Sequence, residues 1–255
     1  MAHAWTLRFF AVPVIIIGVA ISGLASAAGG TDGTRPPVVP IRHVILFIGD
    51  GMQMAHEVAA GRYLYGADDG LDFHRFPLQL DVATWDVTTY NHWAKRRGER
   101  PYNPNRILPW LGYNPGEGGT RPESFQKDGI KQGSRMAYLT AAATDSASAA
   151  TAWSTGFKTD DGNIAWLSGD PIDGALTTLA ERLRREKGFA IGVVSTVPFS
   201  HATPAAHVSH NVDRDNYVAI AADILWGFQP EVVIGGGHPQ WKPLRPAPQW
   251  KSPRC

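Results

Sequence analysis

The chain has 255 residues, 44% of them apolar and 18% charged, which is enough apolar content to bury one large domain or two small ones. Its 24 Lys and Arg against 23 Asp and Glu leave a formal charge of +1, so there is no basic excess of the kind a phosphate-tracking surface gathers, and nucleic acid is not an expected partner. The single cysteine, Cys255, excludes an intrachain disulfide.

Arg8 is the one fixed side-chain charge ahead of an uncharged run, 9–24, and Ala25-Ser26-Ala27 closes that run with the small-x-small pattern of a signal-peptidase site. Residues 1–27 are therefore predicted to be a signal peptide cleaved after Ala27, with an uncleaved membrane anchor as the alternative. Export to a periplasm or to the medium follows. Residues 28–40, dense in Gly, Thr and Pro, are predicted to be a linker, and a domain to begin at Ile41 and run over 41–238.

Residues 44–48 form a continuous apolar run too short for a helix and closed by Gly49-Asp50-Gly51, the pattern of a buried strand in a parallel sheet. Asp50 then sits where open α/β sheets place ligands, outside a strand's carboxyl end, and a carboxylate there suits a hard metal ion. An ordinary Asp-Gly turn explains the same residues. A helix is predicted over 52–65 with Gly66 as its stop, and a strand over 78–90 from the alternation of Leu78, Leu80 and Val82 with Gln79 and Asp81. Residues 91–135 hold no lasting period and are predicted to be an insertion over the sheet, its Lys95-Arg96-Arg97 cluster a solvated charged face.

Residues 144–153 are the most informative stretch: Asp145 and Ser146 head a run of Ala, Ser and Thr. If 147–154 is helical, its first amides and its dipole stabilise negative charge at Ser146, and the hydroxyl becomes a candidate phosphoryl acceptor. Simple helix capping by Asp145 or Ser146 is the competing explanation. No Gly-x-Ser-x-Gly elbow surrounds Ser146, which leaves metal coordination as the route to activating it. Further on, an amphipathic helix is predicted over 175–187 ending at Gly188. A buried strand over 189–197 delivers His201-Ala202-Thr203-Pro204, with Pro204 expected at the first helical position. Arg214 follows, then a helix over 217–226 and a strand over 231–234. Repeated βα units argue for an α/β fold, a mostly parallel sheet with helices on both faces.

Ile48-Gly49-Asp50-Gly51-Met52, Thr144-Asp145-Ser146 with its small-residue run to Trp153-Ser154-Thr155-Gly156-x-Lys158, His201-Ala202-Thr203-Pro204 and Arg214 together resemble the metal-dependent alkaline phosphatases, in order from about Ile41 to Gly237. The resemblance implies phosphate monoester hydrolysis through a phosphoserine at Ser146, with zinc and magnesium (Zn2+, Mg2+) as cofactors. It places the carboxylate bridging the two metals at Asp50, a magnesium ligand at Thr203 and the phosphate-clasping arginine at Arg214. Ser146 and His201 complete the candidate metal ligands, and His at 201, where some relatives carry Asp, makes that site less purely oxygen-lined. A planar guanidinium fork at Arg214 suits two phosphate oxygens better than a point charge would.

In the family most zinc ligands come from a second half of the fold, and nothing after Glu231 matches them, because no acidic residue follows it. The expectation is an amino-terminal portion of such an enzyme, its sheet incomplete at the carboxyl end and its activity impaired, with 239–255 a disordered or aberrant tail. The alternative is a non-catalytic phosphate- or metal-binding fragment. The expected partner is a phosphomonoester substrate, with membrane contact only through an uncleaved leader and a homodimer possible at full length.

Overall fold

A computed structural model describes residues 18–19, 41–52, 54–80, 82–118, 136–141 and 143–236. The predicted linker, the tail and most of the predicted leader lie outside the described residues. The chain divides into two compact units, residues 13–82 and residues 1–12 with 83–255, and the division falls within the 41–238 span.

In the unit of residues 13–82, β1 (Gly18–Val19) pairs antiparallel with β2 (Leu46–Phe47), Gly18 opposite Phe47 and Val19 opposite Leu46. The buried parallel strand expected at 44–48 is corrected here. Leu46 is 42% and Phe47 65% exposed, and the described strand is two residues long. An apolar run becomes a central strand only when neighbours cover both its edges and faces, and among the described residues β2 has one short partner. The helix expected from 52 is present as α1 (Met54–Tyr65). Gly66 stops it at φ 69°, donating its amide to Arg62 O at 3.0 Å. The buried Glu57 of its first turn meets His74 Nε2 at 3.2 Å, fixing the short 3-10 turn Asp72–Arg75 against α1.

The strand expected over 78–90 is also corrected. Leu78, Leu80 and Val82 are exposed and outside any strand, and at Val87 the chain begins a helix, α2 (Val87–Arg97). Asp86 starts it, accepting the Thr89 amide at 2.6 Å, and Gly98 ends it at φ 68°. The predicted insertion thus opens inside a regular helix and continues through two short helices, α3 (Pro109–Gly112) and α4 (Pro115–Gly118). Tyr90, Ala94 and Leu111 form a small core there, flanked by Trp85, Trp93, Tyr102 and Leu108. Arg97 is not on the solvated face expected of it, because its guanidinium pairs with Glu117 and lies 5.6 Å from the Trp93 ring and 5.3 Å from the Trp110 ring. A further helix, α5 (Met136–Ala141), sends Tyr138 Oη to accept the Asn114 amide at 2.7 Å.

The main core gathers Ala147, Ala150, Ile164, Val193, Ala202, Ala205, Ala206, Val208, Ile220 and Ile224 from the elements that follow. The elements are α6 (Ser146–Thr155), β3 (Gly192–Val194), α8 (Ala202–Ala205) and α9 (Tyr217–Ala222), with Ile164, Ala206, Val208 and Ile224 from the segments between and after them, while α7 (Leu179–Lys187) and β4 (Val232–Ile234) pack Ala180 and Val233 against the edge. The helix expected from residue 175 starts only at Leu179. Thr178 and Glu181 form a reciprocal capping box there, while Leu176, though apolar and on period, donates its amide to Ala165 O in an extended segment. Pro204 stands third rather than first in α8. After α9 the chain makes a π-helical turn, Asp223–Phe228, and then enters β4. β3 and β4 pair in parallel, Gly192 opposite Val232 and Val194 opposite Ile234. The described residues thus hold helices, the antiparallel pair β1–β2 and the two-stranded parallel sheet β3–β4, an α/β arrangement. Gly235 follows β4 where its backbone lies against Phe199, since an added Cβ would fall 2.6 Å from Phe199 N. No helix among the described residues is long and apolar enough to cross a membrane.

Candidate active site

α6 forms where the run of small residues predicts it, and its boundaries have chemical causes. The Asp145 backbone is extended (φ −82°, ψ 168°), and its side chain caps the helix by accepting the Ser148 amide at 2.8 Å. At the other end Gly156 closes the helix at φ 82°. Ser146 is therefore the first residue of a ten-residue helix, with the dipole's positive end at its hydroxyl.

Arg214 reaches this end of α6. Its Nη1 donates to Asp145 Oδ2 at 2.8 Å and to Ser146 Oγ at 3.2 Å. Asp145 thus has two jobs, Oδ1 serving Ser148 and Oδ2 serving Arg214. Burial opposes its ionisation, but the Ser148 donors and then Arg214 outweigh that, and the carboxyl is held below the usual carboxylate range.

His201 is the residue before α8, its ring stacked on Tyr217 with centroids 6.2 Å apart, and Thr203 is buried in α8 itself. α8 and α6 meet in the main core through alanines. Asp50 lies in the turn after β2, in the unit of residues 13–82, where Gly51 takes φ 69° and Met52 donates its amide to Gly49 O at 3.2 Å. Of the expected site residues, direct contact joins Ser146 to Arg214.

Three residues near α6 were not singled out from the sequence. Asp86, which caps α2, also accepts the Ser148 hydroxyl at 3.2 Å across 62 residues. Asp86, Asp145 and Asp161 bring carboxylate oxygens within 4.8 Å of one another. Burial raises the Asp86 carboxyl, and burial followed by the charges of Asp145 and Asp86 lifts Asp161 to about 6. Lys158, quoted for its motif but given no role, donates to Trp85 O at 2.6 Å and lies 4.4 Å from the Trp85 ring. Burial lowers it to about 8 against the pull of Asp86. The sequence signal for Asp86 is its place one residue ahead of Val87, which the strand reading of 78–90 obscured.

The alkaline phosphatase family model matches residues 121–243. Streptomycin-6-phosphate phosphatase of Streptomyces griseus is 29% identical over 240 residues, 87% of this chain and 42% of that protein. An alkaline phosphatase of Escherichia fergusonii is 31% identical over 236 residues, 84% of this chain and 39% of that protein. Among solved structures, a cold-active alkaline phosphatase from a psychrophilic Shewanella sp. shares 46% identity over 37% of this chain and 22% of that one, with a TM-score of 0.33. The chain spans less than half the length of the curated relatives it matches.

Proposed function

From the relation of this chain to the alkaline phosphatases we propose that it carries the nucleophile and the phosphate clasp of a phosphomonoester hydrolase, Ser146 and Arg214. The observation that carries the reading is the placement of Arg214 Nη1 3.2 Å from Ser146 Oγ at the amino end of α6. An ester phosphate arriving there meets the first amides of a helix and a guanidinium, two groups suited to an anion. Arg214 neutralises charge on the phosphate oxygens and holds the phosphorus beside Ser146 Oγ. Asp145 keeps that guanidinium oriented until the phosphate takes its place.

The family implies zinc and magnesium, with Asp50, Ser146, Thr203 and His201 as the candidate ligands. A zinc site asks for three or four His, Cys or carboxylate donors converging on one point. Among the described residues the convergence of that kind is Asp86, Asp145 and Asp161, an all-oxygen set that omits His201. Without a His or Cys donor, this all-carboxylate set suits a hard ion and not zinc, and the roles given above to Ser146, Asp145 and Arg214 involve no step through a metal. A second reading is phosphate binding without turnover, which the Arg214 guanidinium at the amino end of α6 supports by itself.

The wider parallel sheet, the phosphoserine intermediate and the export of the chain belong to the same proposal. The test is hydrolysis of a chromogenic phosphomonoester by this chain with zinc and magnesium supplied, beside Ser146→Ala and equilibrium dialysis with labelled inorganic phosphate. Turnover lost in Ser146→Ala is the expected result. Phosphate bound without turnover selects the second reading, and turnover retained in Ser146→Ala overturns the assignment of the nucleophile.

A further inference from the structure

Arg214 and Ser146 are 68 residues apart in sequence, and a ring of hydrogen bonds holds them together. Thr151 is its pivot. It is fully buried on α6, five residues beyond Ser146, about 140° around the helix and roughly 7.5 Å along it. Its Oγ1 donates to Asn163 O at 2.9 Å and accepts the Ala165 amide at 2.8 Å, so one hydroxyl grips the backbone on both sides of Ile164.

Ile164 and Asn211 then exchange amide-to-carbonyl bonds in both directions at 2.8 Å, and Arg214 donates its own amide to Gly162 O at 2.9 Å. The ring closes where Arg214 Nη1 reaches Ser146 Oγ. Ala165 marks where the ring is under load. It is fully buried with φ 41°, a left-handed conformation that an L-residue keeps only when its surroundings enforce it. The two backbone bonds that enforce it are Thr151 Oγ1 on its amide and the Leu176 amide on its carbonyl.

We propose that Thr151 is a positioning residue that sets the reach of Arg214 to the Ser146 hydroxyl, acting through residues 162–165 and 211–214. The functional half of this rests on the phosphate reading above; the structural half does not. The hydroxyl is the active feature, because nothing else of Thr151 makes a polar contact across this ring. Thr151→Val keeps the shape and removes the donor and the acceptor, whereas Thr151→Ser keeps both.

Amide hydrogen exchange on the full chain reads the structural half. Thr151→Val is expected to speed exchange at the Ala165, Asn211 and Arg214 amides roughly five- to tenfold, the worth of one lost bond. The Arg182 amide in α7 keeps its rate, and Thr151→Ser restores the other three. Should Thr151→Val fail to fold, Thr151→Cys takes its place with a smaller acceleration at the same amides. An Arg214 amide that exchanges at the native rate in the substituted chain overturns the proposal, as does uniform acceleration that includes Arg182. Inorganic phosphate affinity reads the functional half. Thr151→Val is expected to weaken it about fivefold in the native background and not at all beside Arg214→Ala, and equal weakening in both overturns the link to Arg214. Accelerated exchange in a chain that binds no phosphate leaves the positioning ring standing and removes the phosphate reading.

Discussion

Arg214 holds the Asp145 carboxylate at 2.8 Å with the same nitrogen that reaches Ser146 Oγ at 3.2 Å, so this arm of the fork is committed inside the protein before any anion arrives. A phosphate that displaces Asp145 from this nitrogen gains two parallel bonds in exchange for one. Arg214→Lys retains the charge and forfeits the second bond. Its affinity for inorganic phosphate, measured by equilibrium dialysis, is expected to fall by about 1–2 kcal/mol, or roughly five- to thirtyfold. An unchanged affinity means that phosphate does not use the fork.

Asp145 serves stability and site at once, and two substitutions separate these roles. Asp145→Ala removes the cap of α6 and the partner of the Ser148 hydroxyl and is expected to lower unfolding free energy in urea by about 1–2 kcal/mol. Asp145→Asn leaves an oxygen to cap the helix and is expected to cost less than half of that, while still removing the charge that Arg214 faces. Equal losses from the two variants mean that the ion pair, and not the cap, carries the stability.

His210 stands between two carboxylates, 3.5 Å from Glu181 and 3.9 Å from Asp223, and its Nε2 lies 3.0 Å from Leu176 O. Burial opposes its charge, but Asp223 and Glu181 outweigh burial and lift it to about 10. A base raised above its unfolded value near 6.5 stabilises the fold most fully below pH 6.5, and that contribution is lost as pH climbs toward 10. Thermal unfolding followed from pH 6.5 to 10 is therefore expected to show a falling midpoint. His210→Gln should flatten that slope and cost on the order of 3 kcal/mol at pH 6.5 through the two carboxylates it leaves without their cation. A native slope in the His210→Gln chain assigns the pH dependence elsewhere.

Gly235 packs without a side chain because Phe199 N and Val197 O lie 2.6 and 3.1 Å from where a Cβ would stand. Both are backbone atoms on the connection from β3 to α8. Gly235→Ala is expected to destabilise the chain by about 1–3 kcal/mol in urea, with Gly156→Asn, at a left-handed helix end in open space, nearly silent beside it.

The elements that the sequence announced are those whose causes are local. α6 is legible from Asp145, the small residues and Gly156, and the ends of α1 and α7 from Gly66 and Gly188, because caps and left-handed glycines act over one turn. α2 was hidden because the alternation of 78–82 invites extension of a strand into Val87, whereas the Asp86 cap decides for a helix. The start of α7 was misplaced because Ala175 and Leu176 continue its apolar period, and the Thr178 capping box wins over periodicity. The apolar run 44–48 announced a buried strand, yet burial depends on what pairs with it, which no local pattern carries. The expectation that Ser146 and Arg214 work together rests on family resemblance, because no periodicity tells that residues 68 apart share a hydrogen bond. The same holds for Asp86 and Ser148, whose contact is wholly tertiary.

Ala147 and Ala150 on α6 face Ala202 and Ala205 on α8 within one fully buried cluster, so the spacing of these two helices is set by methyl groups. α6 carries Ser146 at its head, and the start of α8 carries His201 and Thr203. The distance between these two helix starts is thus a quantity of apolar volume. A larger side chain at Ala150 has no free volume to enter between α6 and α8 and is expected to push the two helices apart. Four alanines with no chemistry of their own thus set how far the head of α6 stands from the start of α8.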